Sequence, residues 1–306
     1  MRYWPGLRAG SISFASAIIM ALALLSGCAA PRAARAPVPP PPEARPVSPA
    51  PVPPEAKPVP PALSKDGVAR LQREVKDMPV GKRIAFWAAK FVGAPYDADP
   101  LGAYVRSERV VCDSEVDCMY HVFRSVELAL TDTPDAAEEK ALDMRFVTKG
   151  RVEDGRVVNY GERFQYAEDM IASGKWGEDV TARLGAVRKV PGSRGTEEVE
   201  YLPKEEILKD ASRFEDGDII YFIKDPSRRV VGEIVGHLGI IRIEGGPPPG
   251  PPPGPPPGRP SLIHASGSKA TNEKAGGGVV KEVDFLDYAA AMRFIGVKVT
   301  RFNGAR

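Results

Sequence analysis

The sequence predicts an α+β fold in which N-terminal helices pack on a C-terminal antiparallel sheet or partial barrel. Three observations lead to this prediction. Between residues 64 and 130, apolar side chains recur at every third or fourth position, which is helical spacing. From residue 217 onward, short apolar runs bounded by turn residues replace that spacing. Helices followed by strands are typical of α+β domains, and about 240 residues can bury one substantial core.

The predicted helices precede the strands. Ser64 or Asp66 would cap the first helix. Its apolar face has residues spaced by three or four positions: Val68, Leu71, Val75 and Met78. A second helix is expected from residue 81 to about 92, and its inward face is Ile84, Trp87, Ala88 and Phe91. Three more helical stretches are expected at residues 117–130, 161–173 and 203–213.

Five strands are expected, at residues 217–223, 236–243, 261–266, 278–284 and 294–302. The second and third are separated by "PPPGPPPGPPPG", residues 247–258. Proline cannot donate to a sheet ladder, so this segment must be a protruding loop. A tolerated insertion is the favoured interpretation, because added loop length costs little stability. A docking loop for an unknown proline-binding partner is the alternative.

The N-terminus is typical of an export signal. Arg2 and Arg8 form a basic start, and residues 10–26 carry no charge. That run ends in "LSGC", which resembles the lipobox of bacterial lipoproteins and implies that Cys28 is lipidated. An ordinary cleaved signal is the alternative. Ala29 is not the aspartate that typically retains such proteins at the inner membrane, so the periplasmic side of the outer membrane is the expected location.

The predicted organisation therefore has three parts. Residues 1–28 form a lipoprotein signal peptide, and residues 29–63 form a proline-rich disordered tether, which cannot bury a core. Residues 64–306 form the catalytic domain. A formal net charge of +2 gives no reason to expect a nucleic-acid partner. Neither a Gly-rich phosphate loop nor a dinucleotide-binding fingerprint is present in the sequence.

Two cysteines remain once Cys28 is lipidated, and Cys118 is placed where a nucleophile benefits. It follows an acidic residue at the start of a predicted helix, where the helix N-terminus favours the thiolate. His237 and His264 lie on predicted strands and supply imidazole groups for a papain-type arrangement. Alternatives stay open: Cys112 could form a disulfide or a redox pair with Cys118.

His121 lies one helical turn after Cys118 and is interpreted as a packing or surface residue. Together with Cys112 and Cys118 it offers the ligand types of a zinc site. The spacing of the two cysteines does not match the usual paired-ligand motifs, so no metal or other cofactor is expected.

Seven segments carry a resemblance to a known family, in that family's order. They are "FVGAPY", "RVVCDSEVDC", "GERFQYAEDMI", "GDIIYF", "VGHLGI", "LIHASG" and "FIGVKV". The chain resembles the N-acetylmuramoyl-L-alanine amidase-like family of the NlpC-type papain-like cell-wall hydrolases. The resemblance implies a papain-like fold of helices followed by a barrel. It also implies that Cys118 is the nucleophile, His237 the base and His264 the residue that orients the base.

The resemblance further implies roles outside this triad. Tyr96 of "GAPY" would stand near the thiol and position it or polarise the substrate carbonyl. Arg163 and Tyr166 match the R–hydrophobic–x–Tyr segment of the family, which implies that they bind the substrate. The chain departs from the family pattern on the cysteine helix, where small or hydroxyl residues and a glutamate are replaced by Met119, Tyr120 and Phe123.

The expected function is hydrolysis of muropeptides at the amide between N-acetylmuramic acid and L-alanine, through a thioester. Peptidoglycan fragments are the expected partners, together with a membrane through the lipid anchor. The alternatives are a γ-D-glutamyl–diamino-acid endopeptidase, a non-catalytic peptidoglycan-binding lipoprotein and a thiol-redox protein.

Overall fold

The computed structural model describes residues 63–243, 258–267 and 277–303. The predicted signal peptide, nearly all of the tether and the proline-rich loop up to residue 257 lie outside the described residues. Within the described part of the chain, none of the helices combines the length and the apolar character needed to cross a membrane.

The described ranges contain nine α-helices. Their bounds are α1 Lys65–Val75, α2 Val80–Lys90, α3 Ala103–Arg106, α4 Cys118–Ala129, α5 Pro134–Met144, α6 Ala167–Ser173, α7 Thr181–Leu184, α8 Lys204–Lys209 and α9 Phe285–Ala291. The ten strands are β1 Val152–Glu153, β2 Arg156–Val157, β3 Glu178–Asp179, β4 Arg188–Pro191, β5 Glu198–Pro203, β6 Ile219–Ile223, β7 Val235–Arg242, β8 Ser261–Ser266, β9 Val279–Asp284 and β10 Gly296–Arg301. The α+β class predicted from the sequence is confirmed.

The start of α1 and the inward face of α2 follow the predicted pattern. The Ser64 hydroxyl accepts a hydrogen bond from the Gly67 N–H at 3.1 Å and caps α1. The four residues predicted to face inward from α2 are fully buried: Ile84, Trp87, Ala88 and Phe91. Met78 was predicted on the apolar face of α1, but it lies beyond the end of that helix and is 43% exposed.

The helix predicted over residues 161–173 is wrong in its first half. A short 3-10 helix covers Tyr160–Glu162, and α6 begins only at Ala167. Between them, the extended backbone of Arg163 pairs with Phe146 across an isolated bridge, so a continuous helix cannot form there. Helix α5 was not predicted, although Thr133 caps it through the Ala136 N–H.

Strands β4 to β10, with β3, form one antiparallel sheet whose order is β4-β5-β10-β6-β7-β8-β9, with β3 also paired to β10. Strands β4 and β9 lie at the two ends of this order and do not pair with each other. The sheet is therefore open: the described residues form the predicted antiparallel sheet and no closed barrel.

The two faces of this sheet are covered by different helices. Tyr221, Leu238 and Ile263 face a large core that includes side chains of α1, α2 and α4. Alternate residues of the same strands, such as Phe222 and Leu262, face a second core with α7, α8 and α9. Helix α4 also contacts β7 and β8, which carry the two histidines of interest.

Candidate active site

Cys118 is the first residue of α4 because Asp117 ends the preceding extended segment and caps the helix. The Asp117 carboxylate accepts a hydrogen bond from the Tyr120 N–H at 2.7 Å. The Cys118 side chain is half-buried and packs at the margin of the first core. Cys112 and Cys118 are not joined by a disulfide. The thiol thus lies at a helix N-terminus, where the N–H groups of the first turn and the helix dipole favour negative charge.

His237 and His264 are brought into contact by the pairing of β7 with β8. His237 Nε2 lies 2.8 Å from His264 Nδ1. The ring of Phe222, opposite His237 on β6, stacks on the His237 ring with centroids 5.6 Å apart. Because Nε2 of His237 is engaged by His264, Nδ1 is the ring nitrogen left to exchange a proton with another group.

Both imidazoles are held neutral at pH 7. Burial lowers the pKa of His237 to about 4, with the charge of His121 acting in the same direction and that of Asp117 opposing it. Burial lowers the pKa of His264 to about 3, and the neighbouring His237 adds to the shift. A neutral His237 can accept a proton, and the Asp117 carboxylate is the negative charge that favours the resulting imidazolium.

Tyr96 lies on the segment that joins the sheet to the loop before Cys118. Its backbone N–H donates to the Gly278 carbonyl, and it forms a bridge with Val116, two residues before Cys118. A Cβ added at Gly267 would lie 2.2 Å from the Tyr96 ring, so this glycine permits the ring to pack there. Burial raises the pKa of Tyr96, and the charge of an ionised Cys118 is the next largest cause.

Cys118 and the histidine pair have different packing neighbours. Cys118 packs against the first core, whereas His237 and His264 have their ring neighbours on the opposite face of the sheet. The ring of Tyr288, on α9, lies 5.0 Å from that of His264, and its pKa responds to the charge of Cys118.

Arg163 and Tyr166 make contacts with different parts of the protein. The Arg163 Nη1 donates to the Tyr160 carbonyl at 3.0 Å. The guanidinium of Arg194 lies 3.3 Å from the centroid of the Tyr166 ring, a cation–π contact. Both side chains thus contact other parts of the protein, and their substrate-binding role stays a prediction.

His121 is a fully buried packing residue. Its Nε2 lies 3.2 Å from the Ala88 carbonyl, and its ring meets Phe91 edge to face. Burial lowers the pKa of His121 to about 4.

Burial also raises the pKa of the Cys112 thiol. In the described ranges, no cluster of three or more histidine, cysteine or carboxylate side chains could hold a metal ion, so the zinc alternative has no structural support.

A buried charge network fixes the loop that leads to Cys118. Glu127 accepts two hydrogen bonds from Arg145, each 2.6 Å long, and Arg124 donates to both oxygens of Asp113. The Tyr120 hydroxyl donates to Asp113 and accepts a hydrogen bond from the backbone N–H of Cys112. Two positive and two negative charges thus compensate each other behind α4. Helix α4 carries a buried glutamate at Glu127, one turn after Phe123, which stands where the family pattern has its glutamate.

Two residues near the histidines were not predicted from the sequence. Tyr288 contacts His264, as described above. The Glu168 carboxylate accepts the backbone N–H groups of Ile234 and Val235 at 3.0 and 3.3 Å, which fixes the start of β7 two residues before His237. A cavity of about 390 Å³ borders Glu168 and Val235. Tyr288 lies outside the quoted motifs. Glu168 lies inside "GERFQYAEDMI", but the sequence alone indicates no role for either residue, because each makes its contact with a residue that is remote in the chain.

Comparison with solved structures gives matches to the fold. A structure of an N-acetylmuramoyl-L-alanine amidase from Bacteroides uniformis has 22% sequence identity and a TM-score of 0.52, and the match covers 74% of this chain and 99% of that chain. A Legionella pneumophila protein bearing the family name DUF1460 matches at 14% identity and a TM-score of 0.54, over 77% of this chain and 93% of the other.

A third structure, from Bacteroides fragilis and named as a candidate xylanase, has 21% identity and a TM-score of 0.51, over 71% of this chain and the whole of that chain. No protein-family model matches the sequence, and comparison with curated proteins gives no match. These likenesses show that the chain shares the fold of the three structures.

Proposed function

We propose that the protein is a cysteine amidase that hydrolyses peptidoglycan fragments at the amide between N-acetylmuramic acid and L-alanine. The observation that carries the proposal is the 2.8 Å contact between His237 and His264, on two strands that are contacted by α4, the helix that begins with Cys118. The likeness to an N-acetylmuramoyl-L-alanine amidase across 99% of that chain supports the choice of substrate. The proposal includes the papain-like NlpC-type fold.

The chemistry requires one proton to move twice. Nδ1 of His237 takes the proton of the Cys118 thiol as the sulfur forms a C–S bond to the muramoyl carbonyl carbon, and the C=O π electrons move to oxygen. Collapse of this intermediate breaks the C–N bond, and the departing amine of L-alanine takes the proton from His237. Water then cleaves the thioester and restores the thiol.

His264 has the role of the third member of the triad in this proposal. With Nε2–H of His237 donating to Nδ1 of His264, the tautomer that leaves Nδ1 of His237 as an acceptor is favoured. A neutral histidine adds no negative charge to stabilise the imidazolium. The Asp117 carboxylate supplies that charge, since it raises the pKa of His237 against the effect of burial.

The residues around the thiol would bind the substrate. Tyr96 is assigned to the carbonyl, because its phenol stays protonated close to Cys118. Arg163 and Tyr166 are proposed to contact the glycan or the peptide stem.

The test is digestion of defined muropeptides under reducing conditions, with products identified by mass spectrometry. Free peptide stems that begin with L-alanine support the amidase. Release of L-Ala-D-Glu instead supports the γ-D-glutamyl–diamino-acid endopeptidase. Binding without any product supports a non-catalytic peptidoglycan-binding lipoprotein and contradicts the proposal. Xylan is the matched control substrate, because one structural relative is named as a candidate xylanase.

The proposal also includes location. An exported lipoprotein anchored through Cys28 on the periplasmic side of the outer membrane would meet peptidoglycan directly. A tether of proline-rich sequence, at about 3 Å per residue when extended, could let the domain reach on the order of 100 Å from the membrane.

A further inference from the structure

The strand that carries His237 is irregular immediately before this residue. In the pairing of β6 with β7, Phe222 lies opposite His237, but Ile223 lies opposite Val235. Gly236 is therefore an extra residue on β7, which makes a β-bulge. In a regular strand Val235 and His237 would face the same side of the sheet, yet Val235 packs in the first core and His237 stacks on Phe222 of the second. The bulge thus decides on which face the strand presents His237.

The carboxylate of Glu168 holds the backbone at this bulge. Glu168 lies in the first turn of α6, and its two oxygens accept the N–H groups of Ile234 and Val235 at 3.0 and 3.3 Å. In a regular strand, successive N–H groups point to opposite sides of the strand, so one carboxylate could not accept both. The two hydrogen bonds therefore require the irregular backbone that precedes Gly236. A carboxylate suits this place because it has two acceptor oxygens and no donor.

Glu168 is itself held in place. Its side chain is 11% exposed, and Nε of Arg194 lies 3.6 Å from one of its oxygens. Arg194 follows Ser193, whose hydroxyl donates to the Gly232 carbonyl and so joins the β4–β5 hairpin to the β6–β7 hairpin. Charge-assisted hydrogen bonds from backbone N–H groups to a carboxylate are roughly twice as strong as neutral ones. A paired and nearly buried carboxylate can therefore fix the start of β7.

We propose that Glu168 is a positioning residue, which holds the bulge of β7 and thereby directs His237 toward His264. This inference rests on the proposed function, in which Nε2 of His237 donates to Nδ1 of His264 at 2.8 Å. Glu168 contacts no reacting atom and acts through the backbone of Ile234 and Val235. Because a change of register by one residue moves a side chain to the other face of a sheet, loss of the bulge would turn His237 away from His264.

The test is Glu168→Gln, which keeps the size of the side chain. Its amide has one acceptor oxygen, and its NH2 group cannot accept from the second N–H. We expect kcat on a muropeptide to fall by about 10²-fold, the cost of a misplacement of about 1 Å, with little change in KM. The NMR signals of the ring nitrogens of His237 and His264 should shift, whereas those of His121 should stay. The chain has three histidines, so the signals can be assigned from variants that each lack one.

Asp169→Asn is the matched control. Asp169 lies next to Glu168 in the same turn of α6 and accepts a hydrogen bond from Arg194 at 3.2 Å. Its substitution removes a carboxylate from the same place and leaves both hydrogen bonds to β7 intact. This variant should keep the wild-type kcat and the wild-type ring signals of His237 and His264.

The outcomes separate this inference from the proposed function. An active wild type together with Glu168→Gln at full kcat overturns the inference alone. A loss of kcat with unmoved ring signals of His237 and His264 also overturns it, because Glu168 would then act elsewhere. Movement of the His121 signals as well would show a general loss of structure in place of positioning, and equal losses in Asp169→Asn would show that the bulge is not the cause. A wild type that releases no product overturns the proposed function and with it the role of Glu168 in the reaction.

Discussion

His237 Nε2 lies 2.8 Å from His264 Nδ1, across the pairing of β7 with β8. Under the proposed mechanism His237 moves the proton and His264 only orients it. His237→Ala should therefore lower the rate of muropeptide hydrolysis by about 10³-fold or more, and His264→Ala should lower it less. Lys189→Ala, on the exposed strand β4, is the control and should stay near the wild-type rate. An undiminished rate in His264→Ala would show that the contact has no part in turnover.

The two cysteines should differ in their effect. Cys118→Ala should abolish turnover, by about 10³-fold or more, because the covalent pathway is removed, yet substrate binding should persist. Cys112→Ala should leave turnover nearly intact, since the two cysteines are not joined by a disulfide. Both variants are to be assayed with and without reductant. Equal loss in the two variants, together with a response of the wild type to reductant, would favour the thiol-redox protein.

The rate should depend on pH through His237. The base must be neutral to accept a proton, and burial lowers its pKa to about 4. The value of kcat/KM should hold as the pH falls from 7 to about 5 and should be lost through about pH 4, whereas an ordinary histidine would give loss near pH 6.5. Asp117→Asn should shift this loss to lower pH, because the Asp117 charge raises the pKa of His237. Loss of kcat/KM with a midpoint near pH 6.5 would contradict the assignment of His237 as a base whose pKa is lowered by burial.

The pH experiment needs a check of folding. The lowered pKa values of His121, His237 and His264 mean that the unfolded chain binds more protons than the folded one below about pH 6.5. The free energy of unfolding should therefore fall as the pH drops from about 6.5 toward 4. Circular dichroism at each pH separates this loss of structure from protonation of the base.

The buried network behind α4 should be sensitive to loss of one charge. Glu127→Gln removes the partner of Arg145, which is 1% exposed, and leaves a buried positive charge uncompensated. Breaking such a pair should lower the free energy of unfolding by about 3–5 kcal/mol, measured by urea denaturation. Glu139→Gln, in an exposed pair with Lys149, should change it by about 1 kcal/mol or less. Equal effects of the two substitutions would show that burial does not govern the network.

The lipid anchor can be tested independently of catalysis. Metabolic labelling with a palmitate analogue should mark the wild-type protein and should not mark Cys28→Ala, because only the former has the thiol that would be lipidated. Cys112→Ala is the control and should be labelled. A wild type without label would mean that Cys28 is not lipidated.

Local sequence was enough where a feature depends on neighbours in the chain. The start of α4 was predictable because the Asp117 carboxylate caps the helix through the N–H of Tyr120, only three residues later. The inward face of α2 was predictable from the spacing of residues such as Trp87. The same reasoning failed at Arg163, whose extended backbone is imposed by pairing with Phe146. Spacing also placed Met78 on a helix that ends before it.

By itself, the sequence determined the α+β class, the capped helix that begins with Cys118 and the strands that carry His237 and His264. Only the tertiary structure decided that these histidines touch, since they lie 27 residues apart and meet through the register of two strands. The same holds for Tyr288, which reaches His264 from a separate helix. It also decided that the sheet stays open, because closure depends on whether β4 and β9 pair. The physical reason is common to all three. Caps and periodicity are set by adjacent residues, whereas cross-strand register and side-chain contacts are set by the packing of the whole domain.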